Sequence, residues 1–431
     1  MLRVAVDAVA PGAVLARPLY APTGQPVLRE GHPLNDSVLP RLASFGIRYV
    51  WLEEPALAGI APCEPLQPDT ALRAGAILTR LAAAAHDGTP RLPPALRQDL
   101  LDLAGRIVEE LEAPSGSTGA RPVGPRGTGR AGPAPAAEAG APLPYPAPGD
   151  AVGDWVAGVL NRAVLAGLLA LSGPYALQAR DFVLAAFLQD VGLWRVAEVA
   201  PACHPVAALD GLGGLDGAGT GNEGTGGPAG GLAGGGPTGR GSVHRAARSH
   251  VTLSLQWLAG VDLGGLVRAL VAQHHEQLDG AGYPDGLRGD AFHPAARRLA
   301  AVTAYTLAVS GCAHRAGWLP HEAYEWLLAE GGGLWGPDVV EELAALLFPY
   351  PPGTLVQLDG GPWGVVVDCA GARRLRPRVR LLPARWQPGA GAVGAGQEID
   401  LLDERTRQIT AWAVAWPVAP AGAPAPAGGG R

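Results

Sequence analysis

The feature that most constrains the fold is an eleven-residue string, 274–284, with the sequence HHEQLDGAGYP, which follows an apolar segment. Residues 263–273 carry leucine and valine at helical spacing, which predicts an amphipathic helix. Gly280 and Gly282 supply backbone conformations that other residues rarely adopt, and the Tyr-Pro pair at 283–284 prevents the helix from continuing. The string therefore predicts a helix that ends beside two adjacent imidazoles, followed by a loop of defined shape.

The two adjacent imidazoles, His274 and His275, indicate chemistry as well as structure. Neighbouring side chains on a helix point about 100° apart, so the two rings suit two positions of one pocket. Two metal ions, or one metal ion and a substrate phosphate, would fit such positions. An isolated pair of histidines more often caps a helix or lies on the surface, so the pair alone does not decide the function.

Composition excludes several classes of protein. The chain has 431 residues, enough for two or three domains, and its formal net charge of −6 comes without a basic run. A nucleic-acid polymer is therefore not an expected partner. No apolar stretch reaches the roughly 18–20 residues of a membrane span, and the 4 cysteines are scattered along the chain. These features predict a cytoplasmic protein with reduced thiols.

Changes in hydrophobic periodicity divide the chain into units. Period-two segments predict a small α+β unit over 1–55 and a small β barrel or sheet over 351–416. Helical periodicity dominates a segment at 70–112 and a larger region at 151–350. The expected fold class is therefore multi-domain and mainly α, with a helical core flanked by two small sheet-containing units. We expect these two units to be separable from the core.

Three low-complexity segments connect or end these units. They consist mostly of Gly, Pro and Ala, and they lack the large apolar side chains that would offset the entropy of ordering. We expect a disordered linker at 113–150, a disordered glycine-rich insert at 211–241 and a disordered tail at 417–431.

The string at 274–284, continued by Asp285-Gly-Leu-Arg-Gly, resembles the signature of the HD-GYP family within the HD superfamily. Members of this family are bacterial, metal-dependent phosphodiesterases that hydrolyse cyclic di-GMP. The resemblance implies a helical HD-type domain over 151–350, with metal ligands drawn from several helices. It carries over four metal-ligand positions, which are Asp190, His250, His274 and His275. Positions that it associates with the nucleotide are Gly282, Tyr283 and Arg315.

Other positions of the family pattern are substituted in this sequence. The histidine of the His-Asp pair is Gln189, and the lysine that follows in the family is Leu193. Two aspartates of a downstream helix are Thr303 and Thr306, and the predicted first helix of the core, 152–171, contains no histidine. A glutamine amide is a poor metal ligand compared with imidazole, and threonine carries no charge. The resemblance therefore implies the family's fold with a reduced set of ligands.

The reduced set predicts at most one divalent metal, iron or manganese by resemblance, or none. We favour a degenerate HD-GYP domain that acts as a catalytically impaired binding or interaction module in cyclic di-GMP signalling. The partners considered are cyclic di-GMP or a related nucleotide, a signalling protein at the Gly-Tyr-Pro loop, and a second copy of the chain. The alternative is an active phosphodiesterase with an atypical metal site, completed by His244, Glu276 or Asp279.

Overall fold

The structure is a computed structural model that describes residues 1–20, 25–45, 47–60, 62, 64–113, 144–145, 151–196, 248–310, 317–383 and 396–416. Ten α-helices and eleven short strands lie within these ranges, so the described chain is mainly helical, as the sequence predicts. The predicted linker, insert and tail fall almost wholly outside the described residues. His244 and Arg315 also lie outside them, and their roles stay predictions.

The N-terminal unit is built from three short antiparallel strand pairs and one helix. Its elements are β1 (Leu2–Ala5), β2 (Ala13–Val14), β3 (Leu19–Tyr20), β4 (Pro26–Leu28), β5 (Pro33–Leu34), α1 (Leu39–Ser44) and β6 (Tyr49–Leu52). β1 pairs with β6, β2 with β5, and β3 with β4. Residues 13–20 thus contribute to two different pairs, β2 with β5 and β3 with β4. The α1 helix follows a turn in which the Asn35 side chain accepts a hydrogen bond from the Val38 amide, at 3.1 Å.

Nine helices form the central region. They are α2 (Pro68–His86), α3 (Pro94–Glu112), α4 (Ala151–Ser172), α5 (Ala179–Leu188), α6 (His250–Trp257), α7 (Gly264–Gln273), α8 (Pro294–Ser310), α9 (Pro320–Trp335) and α10 (Pro337–Leu346). Five of them begin at a proline, whose fixed φ suits the first helical turn and whose missing amide has no partner to lose there. One hydrophobic core contains buried side chains from α2 and α3 as well as from the later helices. The segment 70–112 therefore packs into the same core as the HD-type helices.

The α4 helix is long and apolar enough to cross a membrane by length and composition, and it is the one helix of this kind in the described part of the chain. The expectation from sequence that no stretch is long and apolar enough for a membrane span is therefore wrong. Within the structure, 61% of its apolar window is buried, and Trp155, Val159 and Leu169 pack among the other helices. Burial in the helical core accounts for the apolar composition of α4.

The C-terminal unit is a five-stranded antiparallel sheet. Its strands are β7 (Leu355–Leu358), β8 (Trp363–Asp368), β9 (Arg378–Leu381), β10 (Glu398–Asp400) and β11 (Ile409–Ala413). Their order across the sheet is β10-β9-β8-β7-β11, with β10 and β11 at the two edges. The sequence predicted a small barrel or sheet here, and the described strands form a sheet.

The two terminal units meet in a shared core. Val4 forms a parallel bridge with Trp416, and the Trp416 amide donates a hydrogen bond to the Arg3 carbonyl at 2.9 Å. Buried side chains from both ends of the chain belong to one hydrophobic cluster, among them Leu2 in β1 and Val365 in β8. The sequence analysis treated the two units separately, whereas the structure adds this common core between them.

Candidate metal centre

The Gln189–Asp190 pair lies directly after α5, where the chain enters a 3-10 turn over Val191–Arg195. The α5 helix ends at Leu188. Both Gln189 and Asp190 are fully buried. The pair therefore leaves the helix inside the core, where the two side chains meet partners on different neighbouring helices.

Gly192 explains why the chain turns at this point. A Cβ atom at this position would lie 2.0 Å from the His250 carbonyl oxygen, so only glycine allows the turn to press against α6. The Gly192 amide donates to the Ser254 hydroxyl at 2.9 Å, and that hydroxyl donates to the Gln189 carbonyl at 2.9 Å. This chain of hydrogen bonds fixes Asp190 beside the first residue of α6, which is His250.

Four buried side chains converge beside this turn, and they are Asp190, His250, His274 and His275. One candidate ligand atom from each lies within 4.8 Å of the others. His250 Nε2 is 3.2 Å from His274 Nε2, and Asp190 Oδ1 lies 3.6 and 3.5 Å from these two nitrogens. In the described ranges this is the one group of its kind. The structure thus brings together the four residues that the family resemblance selected, and their role as ligands stays a prediction.

The donor set fits one divalent ion. His274 Nδ1 lies 2.8 Å from the Val271 carbonyl oxygen, the position of a ring N–H that donates to the backbone. A proton on Nδ1 leaves the Nε2 lone pair directed at the cluster, which is the usual arrangement of a metal-binding histidine. Three imidazoles and one carboxylate suit iron, manganese or zinc better than calcium or magnesium.

The Gly-Tyr-Pro loop covers one side of the cluster. The Tyr283 ring stacks on the His275 ring with centroids 4.6 Å apart, and the Tyr283 amide donates to the His275 carbonyl at 3.1 Å. Gly282 is required beneath it, since a Cβ atom there would lie 2.5 Å from the Gln277 amide nitrogen. His274 contacts Asp190 while His275 contacts Tyr283, so the two imidazoles occupy different positions of one pocket, as their spacing predicts.

The two described residues considered as additional ligands are engaged elsewhere. Both carboxylate oxygens of Glu276 accept hydrogen bonds from loop amides, those of Asp285 at 2.7 Å and Leu287 at 2.8 Å. Asp279 is exposed, and its Oδ1 accepts from the Ala281 amide at 2.8 Å. Glu276 therefore shapes the loop, and neither carboxylate belongs to the four-residue group.

Two of the substituted family positions are bonded to each other. The Gln189 side-chain amide donates to the Thr303 hydroxyl at 3.0 Å, and this hydroxyl donates to the Leu299 carbonyl at 2.8 Å. Gln189 and Thr303 are both fully buried. Thr306 behaves differently, because its hydroxyl donates to the Val302 carbonyl of its own helix at 2.9 Å. Leu193 is buried as an ordinary apolar residue.

Arg162 is a residue of this centre that the sequence analysis missed. It lies on α4, is 3% exposed, and forms an ion pair with Oδ2 of Asp190. Its neighbours in sequence on that helix are almost all apolar, so a single arginine within such a helix was the available signal. A buried arginine requires a buried acceptor, and the sequence alone does not say which carboxylate provides it.

Comparison with known proteins finds a domain match and two curated relatives. A family model described as "HD domain" matches residues 244–339. The chain is 34% identical over 119 residues to the cyclic di-GMP phosphodiesterase PA4108 of Pseudomonas aeruginosa, which is 28% of each protein. It is 38% identical over 78 residues to the cyclic di-GMP phosphodiesterase response regulator RpfG of Xanthomonas campestris, 18% of this chain and 21% of that protein. The chain thus matches about a quarter of the length of these curated relatives.

A solved structure, that of Bd1817, an HDG"Y"P protein from Bdellovibrio bacteriovorus, aligns over 80% of this chain and 98% of that chain, with a TM-score of 0.40 and 12% identity. The range matched by the family model contains the motif at 274–284 and three members of the buried group, His250, His274 and His275, while Asp190 lies outside it. The family model and the two curated relatives support an HD domain of the HD-GYP type within this chain, matched by the family model over residues 244–339.

Proposed function

We propose that the protein is a degenerate HD-GYP domain that binds cyclic di-GMP or a related nucleotide in the cytoplasm without hydrolysing it. The observation that carries this proposal is the buried hydrogen bond between Gln189 and Thr303. At these two positions the family pattern has a histidine and an aspartate, both metal ligands. In this chain the two side chains satisfy each other instead of facing an ion.

The metal ions of such enzymes supply an activated water and a clamp on the phosphoryl oxygens. In this chain His250, His274 and His275, with one oxygen of Asp190, would hold a single ion of this kind. Gln189 and Thr303, bonded to each other, offer no second set of ligands. The chain's own residues can therefore bind and orient a phosphate group, but they lack a second clamp on the opposite side of it.

The charge of the centre also disfavours tight metal binding. Asp190 is the one carboxylate of the four-residue group, and the Arg162 guanidinium already neutralises it. A divalent ion would add two positive charges to a buried site that has no further carboxylate among its ligands. Burial of uncompensated charge is costly, so the single ion should bind weakly.

The loop side supports nucleotide binding. Both curated relatives carry the name cyclic di-GMP phosphodiesterase, and Gly282 and Tyr283 of the shared motif are in place beside the cluster. The guanidinium of Arg248, an exposed residue, lies 5.2 Å from the centre of the Tyr283 ring. A planar guanidinium matches the geometry of a phosphate group, and we place the nucleotide phosphate on this face of the loop. A signalling protein would dock on the same loop.

The test is a calorimetric titration of the full chain with cyclic di-GMP, together with an assay for the linear dinucleotide product in the presence of manganese or ferrous iron. We expect binding without product. Tyr283→Ala should weaken the binding, whereas Asp279→Asn, an exposed position of the same loop, should not. The absence of binding would refute the proposal. Hydrolysis that His275→Ala abolishes would establish the alternative, an active phosphodiesterase with an atypical site.

A further inference from the structure

We infer that Arg162 acts as an internal cation in place of a second metal ion and limits the buried centre to one weakly bound divalent ion. The inference rests on the proposed metal centre but not on nucleotide binding. It assigns a role to a residue outside the family's ligand pattern as carried over to this chain. It also explains how a carboxylate that lacks a metal pair is held in the core.

The Asp190 carboxylate has two differently occupied sides. Its Oδ2 forms the ion pair with Arg162, while its Oδ1 faces the Nε2 atoms of His250 and His274 at 3.6 and 3.5 Å. A carboxylate that bridges two cations uses one oxygen for each. Here the guanidinium takes one of the two oxygens, so only the other is available to an ion held by the imidazoles.

The charge on Arg162 is permanent. A guanidinium is not deprotonated in proteins, and this one is 3% exposed within an apolar helix. Asp190 is 0% exposed, so neither charge is solvated by bulk water, and each depends on the other for compensation. A divalent ion bound by the imidazoles would be separated from the guanidinium only by the Asp190 carboxylate. Repulsion between two cations at such a distance, with little solvent between them, weakens the binding of the ion.

The neutral side of the pocket strengthens this conclusion. Where a second ion would need anionic ligands, the described residues place the Gln189 amide and the Thr303 hydroxyl, bonded at 3.0 Å. Neither carries a charge. The Arg162–Asp190 ion pair has no net charge, and neither does the Gln189–Thr303 pair. Together these four residues therefore provide no net negative charge for a second metal ion.

A manganese titration of the full chain without nucleotide tests this inference. The variants are Arg162→Met, which removes the charge, and Arg162→Lys, which keeps it. Bound manganese would be counted by elemental analysis, the Kd measured by titration, and the melting temperature recorded with manganese and with a chelator. We expect at most one ion in the wild-type protein and a melting temperature that changes little with the chelator.

Arg162→Met should bind manganese about tenfold more tightly or better, because the repelling charge is gone and Asp190 needs a new counterion. Its melting temperature in chelator should fall by about 10 °C, and manganese should restore most of that loss. Arg162→Lys should resemble the wild type in its manganese affinity. If Arg162→Met does not fold, Arg162→Gln replaces it, since an amide still donates to Asp190 Oδ2 without a charge.

Two results would overturn the inference. One is a wild-type chain that holds two tightly bound ions. The other is a neutral variant whose manganese affinity and whose response to chelator match the wild type, which would make Arg162–Asp190 an ordinary structural ion pair. Because no nucleotide is present, a failure of cyclic di-GMP binding would leave either result unchanged.

Discussion

The two sides of the buried centre differ in what holds them. On the loop side, Tyr283 stacks on His275, and Glu276 accepts two backbone amides of the loop that follows. None of these contacts involves a metal. At two of the substituted family positions, the Gln189 amide and the Thr303 hydroxyl bond each other. The contacts on the loop side thus do not depend on a metal, whereas at the substituted positions two neutral side chains bond each other.

This difference shows that a reduced ligand set need not leave a gap. The substituted residues Gln189 and Thr303 are bonded to partners, and an unpaired buried polar group would cost about 1–3 kcal/mol. Gln189 and Thr303 pair with each other, and Asp190 pairs with Arg162. These bonds hold the buried polar groups without a metal ion. Substitutions at each pair measure how much each bond contributes to stability.

The largest effect is expected from Asp190→Ala. This change leaves the Arg162 guanidinium buried without its carboxylate, and we expect the free energy of unfolding to fall by about 3–5 kcal/mol. Chemical denaturation followed by circular dichroism measures it. Asp279→Ala is the matched control, since that aspartate is exposed, and it should change stability by less than about 0.5 kcal/mol. A small effect at Asp190 would mean that the ion pair contributes little to the core.

Next in size is restoration of the two family residues by Gln189→His with Thr303→Asp. Without metal, the new buried carboxylate should lower the free energy of unfolding by about 3 kcal/mol. Manganese at a hundredfold excess over its Kd should return about 2.7 kcal/mol of it. Melting curves with manganese and with a chelator measure both values. Destabilisation that manganese does not reverse would show that these two positions do not face the ion.

Glu276→Gln tests the loop side. The neutral amide keeps one acceptor oxygen for the two backbone amides, so we expect a loss of about 2 kcal/mol and weaker protection of the Asp285 and Leu287 amides in hydrogen exchange. The affinity for manganese should stay within about a factor of two, because Glu276 is not a member of the four-residue group. A large loss of metal affinity would show that the loop and the four-residue group depend on each other.

The smallest effects separate the two threonines. Thr303→Val removes the partner of the Gln189 amide and should cost about 1–2 kcal/mol. Thr306→Val removes only a bond to a carbonyl of its own helix and should cost less than about 0.5 kcal/mol. Denaturation midpoints of the two variants give the comparison. Equal costs would mean that the Gln189 bond contributes no more than an ordinary hydroxyl contact within a helix.

The sequence predicted the helices and strands of the fold better than it predicted which buried polar side chains bond each other. The helix expected over 152–171 is found at Ala151–Ser172, and the four residues predicted as ligands lie together. Hydrophobic periodicity reports which face of a helix is buried, but it does not report which polar group that face meets. The pairing of Arg162 with Asp190 and of Gln189 with Thr303 depends on packing between helices distant in sequence, so neither could be predicted from the pattern.

The contact between Val4 and Trp416 has a consequence for synthesis of the chain. About 410 residues separate the two positions, so a ribosome working at about 5–20 residues per second completes the second roughly 20–80 s after the first. During that time the helices between them can fold, but the apolar side chains of β1 await their partners from the other end. The N-terminal strands can pair with one another early, but their shared core lacks the C-terminal side chains until those residues have been made.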